Sequence, residues 1–565
     1  MTTQSSLVEL RVLEGANLYF PRPAVKLTLD LSTLVGLDEA DARAVATQLG
    51  LPSAAPGAAG TGLRQRFAGR VVGRLVRRVA HESGVTRLAV RSRPTAQVGM
   101  LVVAYPWRDR GRAEALGKAV AGILDLLPTG DIRGALHEAG AAVRGVTTGG
   151  SPSTRRPRVP VVAVTGTNGK TTTSRMVARM GRCAGLVVGW SSTDGVYVDD
   201  ELIEPGDYSG PSGASWVLDD PRVQLAVTET ARGGILLKGL GVTHNDVSVV
   251  TNVSADHLGL QGVDTVDQLA EVKAVITRVT RAAGWVVLNG EDPRTFAMRL
   301  GVHANVCVFS RDSESPSLRT VLNEGGRVVT LIDGAITVIG PGEVEPDPLV
   351  AVVDVPMTLS GLSHVNVENA LAAVGAGIGV GLPRKAVVDG LLSFRPDPED
   401  NPGRMNVYDL HGVTVVVDLA HNEAGVQALL EVLHGLRRPG AAVRLVMGAP
   451  GDRTDDIIRA VGELAARGSD EVVISHKEHY LRGRDASELA ALLQAAAADV
   501  GVYDVPVLPT ELAGLELLVR HAGAGDAIGV MCHAERTEIA EWLRSEGAIV
   551  DAPESIRRKV LAAKT

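Results

Sequence analysis

Val161-Val-Ala-Val-Thr-Gly-Thr-Asn-Gly-Lys-Thr-Thr-Thr173 is the stretch whose reading decides the fold. Its opening run is apolar and rich in valine, which predicts a buried strand ending at Thr165. A Gly-rich turn follows, and a helix is predicted from near Lys170 through Met180. Strand, turn and helix in that order aim backbone N–H groups and a helix N-terminus at one spot, which suits phosphate oxygens. Gly166 and Gly169 allow close backbone approach, Lys170 would neutralise the terminal phosphates, and the Thr171 hydroxyl would ligate Mg²⁺. The generic phosphate-loop spacing asks for Gly where this chain has Val164, so a Gly-rich turn with a solvated lysine is the bland alternative. The strand–loop–helix context and the consecutive threonines favour a nucleoside triphosphate site. A GTPase-like switch would need a base-reading Asn-Lys-x-Asp, and the sequence has none. The loop alone leaves a pure binding module open.

Outward from the loop, short β-rich runs alternate with helical stretches. Residues 159–165, 225–228, 247–253 and 285–288 are continuous apolar runs, as expected for parallel strands covered on both faces. Runs 328–332 and 335–339 flank Asp333-Gly334, a strong signal for a two-residue hairpin. Runs 413–418, 443–447, 471–474 and 527–531 predict a second, smaller sheet. Gly149, Gly150, Ser151, Pro152, Ser153, Thr154 and Pro157 mark a linker between Val143 and Pro160. Pro396, Pro398 and Pro402 among acidic residues mark another between Phe394 and Gly403. The expected domains are 1–150, 158–395 and 400–565. The fold class is α/β: a central phosphate-loop domain with a parallel sheet and a smaller Rossmann-like C-terminal domain, preceded by an α+β domain. No 20–50-residue internal repeat stands out.

At roughly 150 residues per domain, 565 residues suggest three or four domains. Apolar residues are 45% and aromatics only 3%, so the cores must be built from Ala, Val, Leu and Ile. Cys183, Cys307 and Cys532 are far apart, which argues against a disulfide framework or zinc site and for a reducing compartment. With 57 basic and 65 acidic residues the formal charge is −8, which does not favour nucleic acid. The N-terminal Met-Thr-Thr-Gln-Ser-Ser lacks the basic flank and apolar run of a signal peptide. No apolar run reaches about 18 residues, so neither a membrane span nor a membrane partner is expected. The expected location is cytoplasmic.

The loop Thr165-Gly-Thr-Asn-Gly-Lys-Thr-Thr-Thr173 resembles the nucleotide loop of the Mur ligases and folylpolyglutamate synthetases. The resemblance continues through Ser192-Thr-Asp-Gly195, Glu229-Thr-Ala-Arg-Gly-Gly-Ile235 and Asn252-Val-Ser-Ala-Asp-His-Leu-Gly259. It extends through Val272-Lys-Ala-Val275, Asn369-Ala-Leu-Ala-Ala373, Asp400-Asn-Pro-Gly-Arg404 and Asp418-Leu-Ala-His-Asn422. In combination these motifs look most like the Mur-ligase-type domain of cyanophycin synthetase, over 158–565. Residues 7–130 resemble that family's N-terminal domain more weakly, through Leu10-Arg-Val-Leu-Glu-Gly-Ala-Asn17 and the helix around Arg64 to Ala80. That family carries an ATP-grasp domain between the two regions, where this chain has only the linker near 143–160. The family's His-x-x-Glu-His pattern is replaced here by Arg70, Gly73 and Arg74, so its hydrolytic role is not expected. Arg66, Arg70, Arg74 and Arg77 share one helix face; a solvated basic face is the usual explanation, docking of an anionic acceptor or a subunit the other.

The resemblance implies an ATP-dependent ligase that activates a carboxylate as an acyl phosphate and joins it to an amine. Gly166, Thr167, Asn168, Gly169, Lys170, Thr171 and Thr172 would hold ATP, with Asn369 opening a helix near adenine. Arg404 would reach phosphate from the hinge, and Asp418 would hold ribose or hinge geometry. Glu229 would share one Mg²⁺ with Thr171, and His257 would organise a second. Lys273, expected to be half-buried, matches a lysine that related ligases carbamylate with CO₂ to make a metal ligand. His421, Asn422 and the loop Gly448-Ala-Pro-Gly-Asp-Arg453 have less defined roles, the loop facing the incoming substrate or forming an ordinary turn. The substrates would be an amino acid amine, for instance arginine, and a carboxylate or peptide acceptor such as an aspartyl side chain. A homo-oligomer and a separate ATP-grasp protein are the further partners under consideration. The competing class is a catalytically silent nucleotide-binding scaffold, against which the presence of Lys170, Glu229, His257 and Lys273 argues.

Overall fold

The computed structural model describes residues 6–51, 55–95, 97–127, 131–147, 149–341 and 345–564. Residues 1–5, on which most of the signal-peptide reading rests, lie outside them. The chain forms two compact units: residues 1–158 with 208–219 and 230–244, and the remainder, 159–207, 220–229 and 245–565.

The first unit has a four-stranded antiparallel sheet in the order Leu7–Leu13, Ala24–Asp30, Met100–Pro106, Arg91–Pro94, covered by helices such as Gly62–Glu82. This is the α+β architecture expected there. In the long helix Arg66, Arg70 and Arg77 are exposed and Arg74 donates to the Leu49 carbonyl. Arg64, by contrast, is fully buried, its guanidinium spent on the carbonyls of Leu37, Pro56 and Gly57. Segments 208–219 and 230–244 belong to this unit although they lie within the middle of the sequence; Arg155 grips Asp219 through two bonds of 2.8 Å.

The second unit contains two sheets. The larger has eleven strands, with a parallel centre running from Arg327–Ile332 through Asn305–Phe309, Thr280–Asn289, Asn245–Val250, Val161–Thr165 and Leu225–Glu229 to Val188–Ser192. Antiparallel strands close both edges. The Asp333-Gly334 turn forms as predicted, with φ of 48° and 75°, the paired left-handed residues that a tight hairpin needs. Every residue of Val161–Thr165 is buried, because the sheet is covered on both faces. The second sheet has seven strands, parallel from Val507–Leu508 through Glu471–Ser475, Val443–Met447 and Ala527–Met531 to Val413–Asp418, then antiparallel through Asn406–Leu410 to Ile549–Val550. Buried valine, leucine, isoleucine and alanine dominate the core of the unit. Parallel strands bring their carboxyl ends to one edge, where open α/β sheets bind ligands. Among the described residues no helix is long and apolar enough to cross a membrane.

Candidate active site

The turn after Thr165 is shaped by its two glycines. Gly166 has φ 154°, and a Cβ there would stand 1.8 Å from Thr251 Oγ1. Gly169, at φ 85°, caps the helix Lys170–Cys183, and its Cβ would meet Asn369 Oδ1 at 2.1 Å. The loop is tied to the neighbouring strand end: Thr167 N donates to the Asn252 carbonyl (2.9 Å) and Asn168 N to Asn252 Oδ1 (2.9 Å). Lys170 Nζ folds back onto the Thr167 carbonyl at 2.9 Å.

Thr171, in the first turn of the helix Lys170–Cys183, meets Glu229 at the end of the adjacent strand Leu225–Glu229: Thr171 Oγ1 donates to Glu229 Oε2 at 2.8 Å. Glu229 is buried and its Oε1 has no hydrogen-bond partner among the described residues. Burial pushes its carboxyl above the ordinary range, against the pull of Lys170, the Thr171 hydroxyl and Arg404. A buried, half-satisfied carboxylate beside a phosphate-loop hydroxyl is the donor set that suits a hard divalent cation. Among the described residues no group of three His, Cys, Asp or Glu side chains could hold a metal alone, so phosphate oxygens would complete the set.

Lys273 ends the helix Val266–Lys273 and is 3% exposed, not half-buried as its helix pattern predicted. Its Nζ donates to the Gly166 carbonyl at 2.5 Å, so the phosphate loop itself covers it. Asn369 does not open its helix, which begins at His364. Two asparagines are tolerated in its first turns because Asn369 Nδ2 bonds Asn366 Oδ1 (3.1 Å) rather than the backbone. Asn369 Oδ1 faces the Thr173 hydroxyl at 3.4 Å, beneath the loop.

Residues from Asp400 onward contribute at five points. Asn168 and Asn422 pair their amides reciprocally, at 3.2 and 3.0 Å. The connecting segment lies along the phosphate-loop helix, where Asn401 Nδ2 donates to Thr172 Oγ1 (3.2 Å) and Arg175 to the Asp400 carbonyl (3.2 Å). Asp418 is half-buried, desolvation raises its pKa, and it accepts from Met405 N at 2.9 Å; its contact is to the hinge. Arg404 lies within electrostatic reach of Glu229, Asp194 and Asp418. Arg536 Nη1 and Arg175 Nη2 both hold Asp194, each at 2.9 Å.

His257, at φ 50°, belongs to a second cluster. Its Nδ1 lies 3.0 Å from Arg453 Nη1 and 3.3 Å from Asp452 Oδ2. Arg453 Nε reaches Asp256 Oδ1 at 3.0 Å, and His421 Nε2 lies 3.7 Å from Asp256 Oδ2. Burial would raise Asp256, but His421, Arg453 and His257 outweigh it and hold the carboxyl far below its usual range. The loop ending at Arg453 therefore faces this cluster. A cavity of about 520 Å³ in the first unit includes none of the predicted site residues, and its arginines already pair with Glu9, Glu14 and Glu114.

Residues 164–377 match the Mur ligase middle domain, and residues 403–533 match the Mur ligase glutamate ligase domain. The chain belongs to the Mur ligase family. It is 39% identical to the cyanophycin synthetase of Synechocystis sp. over 348 residues, 60% of this chain and 38% of that one. It therefore spans well under half the length of that relative. It is 28% identical over 428 residues to the UDP-N-acetylmuramyl-tripeptide synthetase of Deinococcus radiodurans, covering 74% of this chain and 79% of that one. The fold is shared with Escherichia coli FolC, solved with DHPP and ADP, at TM-score 0.50 and 19% identity over 69% of this chain and 90% of that one. Both of these relatives are named as synthetases. Asp256, Asn401, Arg175, Asp194 and Arg536 are contacts to which reasoning from sequence gave no role, whereas Asn422 and the loop ending at Arg453 were singled out there with roles less defined.

Proposed function

We propose that the chain is an ATP-dependent amide ligase that phosphorylates a carboxylate and transfers the acyl group to an amino acid amine. The observation that carries this reading is the buried Thr171–Glu229 pair with its unpartnered Glu229 Oε1, set at the mouth of a phosphate loop. The γ-phosphoryl group of ATP passes to the carboxylate oxygen, ADP leaves, and the amine displaces phosphate to form the amide. Two anions must approach, so concentrated positive charge is required. Lys170 supplies one cation, swinging from the Thr167 carbonyl to phosphate, and Arg404 a second. Thr171 and Glu229 would hold a divalent cation, Mg²⁺, which supplies charge neutralisation at the phosphate oxygens. His257 stands in the cluster where a second cation would be organised, and Lys273, buried against Gly166, is the candidate for carbamylation.

The similarity to cyanophycin synthetase supports an arginine-like amine and an aspartyl acceptor, with a separate ATP-grasp protein making any backbone. The test is ADP release by the full chain with Mg²⁺, ATP, each of the twenty amino acids and an oligo-aspartate acceptor. Release that requires both amine and acceptor is expected. Nucleotide binding without turnover on any pair would refute the ligase reading.

A further inference from the structure

His533 lies in the loop that follows the strand Ala527–Met531, and its side chain is 4% exposed. That loop is held by one carboxylate. Glu511 accepts the backbone N–H groups of His533 (2.8 Å), Ala534 (3.2 Å) and Glu535 (3.0 Å), and Lys477 Nζ at 2.5 Å. Lys477 and Glu511 are each 1% exposed, and Lys477 also donates to the Met531 carbonyl. The same loop runs into Arg536, which grips Asp194 beside the phosphate-loop helix. A fully buried ion pair is weak evidence for stability, since apolar residues of similar volume often do as well. What this pair does that apolar residues would not is fix three backbone donors of one loop.

The imidazole it presents is half used. His533 Nδ1 faces the Met531 carbonyl at 3.3 Å, so Nδ1 carries the proton. Nε2, on the far side of the ring, is buried and has no hydrogen-bond partner among the described residues. The ring stands edge-on to His421 (centroids 6.3 Å apart) and Tyr480 (6.0 Å). His421 is itself pinned by Nδ1 to the Leu419 carbonyl at 2.9 Å, and its neighbour Asn422 pairs with Asn168 of the phosphate loop. His533 thus sits one ring from residues that touch the nucleotide loop and Asp256. Burial, with the nearby Lys477 charge, lowers its pKa to about 4, so it is neutral at pH 7 and Nε2 can only accept.

Phosphate and carboxylate are acceptors; of the reacting groups only the amine has a hydrogen to offer. We propose that His533 Nε2 accepts a hydrogen bond from the amine-bearing substrate, and that Lys477 and Glu511 are positioning residues that hold it there. The assignment rests on the ligase reading above. It makes His533 a determinant of amine affinity that leaves nucleotide affinity alone.

The test is kinetics of the full chain with oligo-aspartate and whichever standard amino acid drives ADP release, L-arginine first. His533→Phe keeps the ring and removes the acceptor; His533→Gln returns an oxygen near the Nε2 position. The Phe variant should raise KM for the amino acid about tenfold, the worth of one hydrogen bond, with KM for ATP within about twofold. The Gln variant should recover most of the loss. Unchanged amine KM in the Phe variant, or a Gln variant no better than Phe, overturns the assignment while leaving the ligase reading intact. Absence of turnover on every pair overturns both. Should the Phe variant not fold, ¹⁵N-histidine spectra of the wild-type chain decide: the His533 Nε2 resonance must move when the amino acid is added, and a fixed resonance overturns the proposal.

Discussion

Glu368→Gln should change the pH dependence of stability by an amount that the packing beneath the phosphate loop determines. Glu368 precedes Asn369 on the helix His364–Gly379. One oxygen meets Arg311 Nε at 3.1 Å, and the other accepts from Asn289 Nδ2 at 3.2 Å. Arg311 is shared, because its Nη2 also holds Glu291 at 2.8 Å. One guanidinium thus serves two carboxylates in a half-buried site. Burial therefore wins over Arg311, with Glu291 adding repulsion, and raises Glu368 from its ordinary 4.5 to about 7. For a carboxyl raised on folding, the associated stability is fully present below pH 4.5 and is lost as pH rises through about 7.

Between about pH 5 and pH 8.5 that loss amounts to roughly 2–3 kcal/mol for wild type and nothing for Gln. The substitution also loses either the Arg311 ion pair or the bond from Asn289 Nδ2, which keeps the Thr251 carbonyl, at a cost of about 1 kcal/mol at any pH. A comparison at one pH can therefore have either sign. The difference between two pH values cancels the fixed cost. Urea denaturation of both proteins at the two pH values, at equal ionic strength, should show Glu368→Gln gaining roughly 2–3 kcal/mol on wild type as pH rises. A constant gap would mean that Glu368 ionises in the ordinary range and that Arg311 outweighs burial.

Lys170→Ala should cut ATP-dependent ligation at least about a hundredfold with an unchanged melting curve; near-normal turnover would remove the ATP assignment. Glu229→Gln should leave the ligand-free protein at least as stable as wild type, since Oε1 loses a buried charge that has no partner there, and should abolish the thermal shift given by Mg²⁺ with AMPPNP. An equal shift in wild type and variant refutes Glu229 as a metal ligand. Lys273→Ala should lose activity that high formate or acetate partly restores; an active enzyme whose intact mass shows unmodified Lys273 would exclude the carbamate.

The reach of sequence reasoning follows the range of the interactions. The parallel strands were legible because burial on both faces writes a local, continuous apolar run, as in Val161–Thr165, and the Asp333-Gly334 hairpin because two left-handed residues must be adjacent. The contacts that assemble the site were not, because their partners are remote: His257 meets Arg453 across 196 residues, and Asn168 meets Asn422 across 254. Periodicity describes one helix against one core, so it made Lys273 half-buried; the Gly166 carbonyl that completes its burial comes from 107 residues away. For the same reason segments 208–219 and 230–244 looked like part of the middle sheet's run of sequence, and no local pattern announces that they pack with the N-terminal residues. One rule would have recovered part of this: charged and amide residues just beyond a parallel strand converge at the sheet's carboxyl edge, whichever strand they follow. Applied here it selects Asn168, Asn252 and Glu229 at the middle sheet. At the C-terminal sheet it selects Asp418, His421, Asn422, Asp452, Arg453, Lys477 and His533. What it cannot supply is which of these face one another, and for that the closed arrangement of the two sheets is needed.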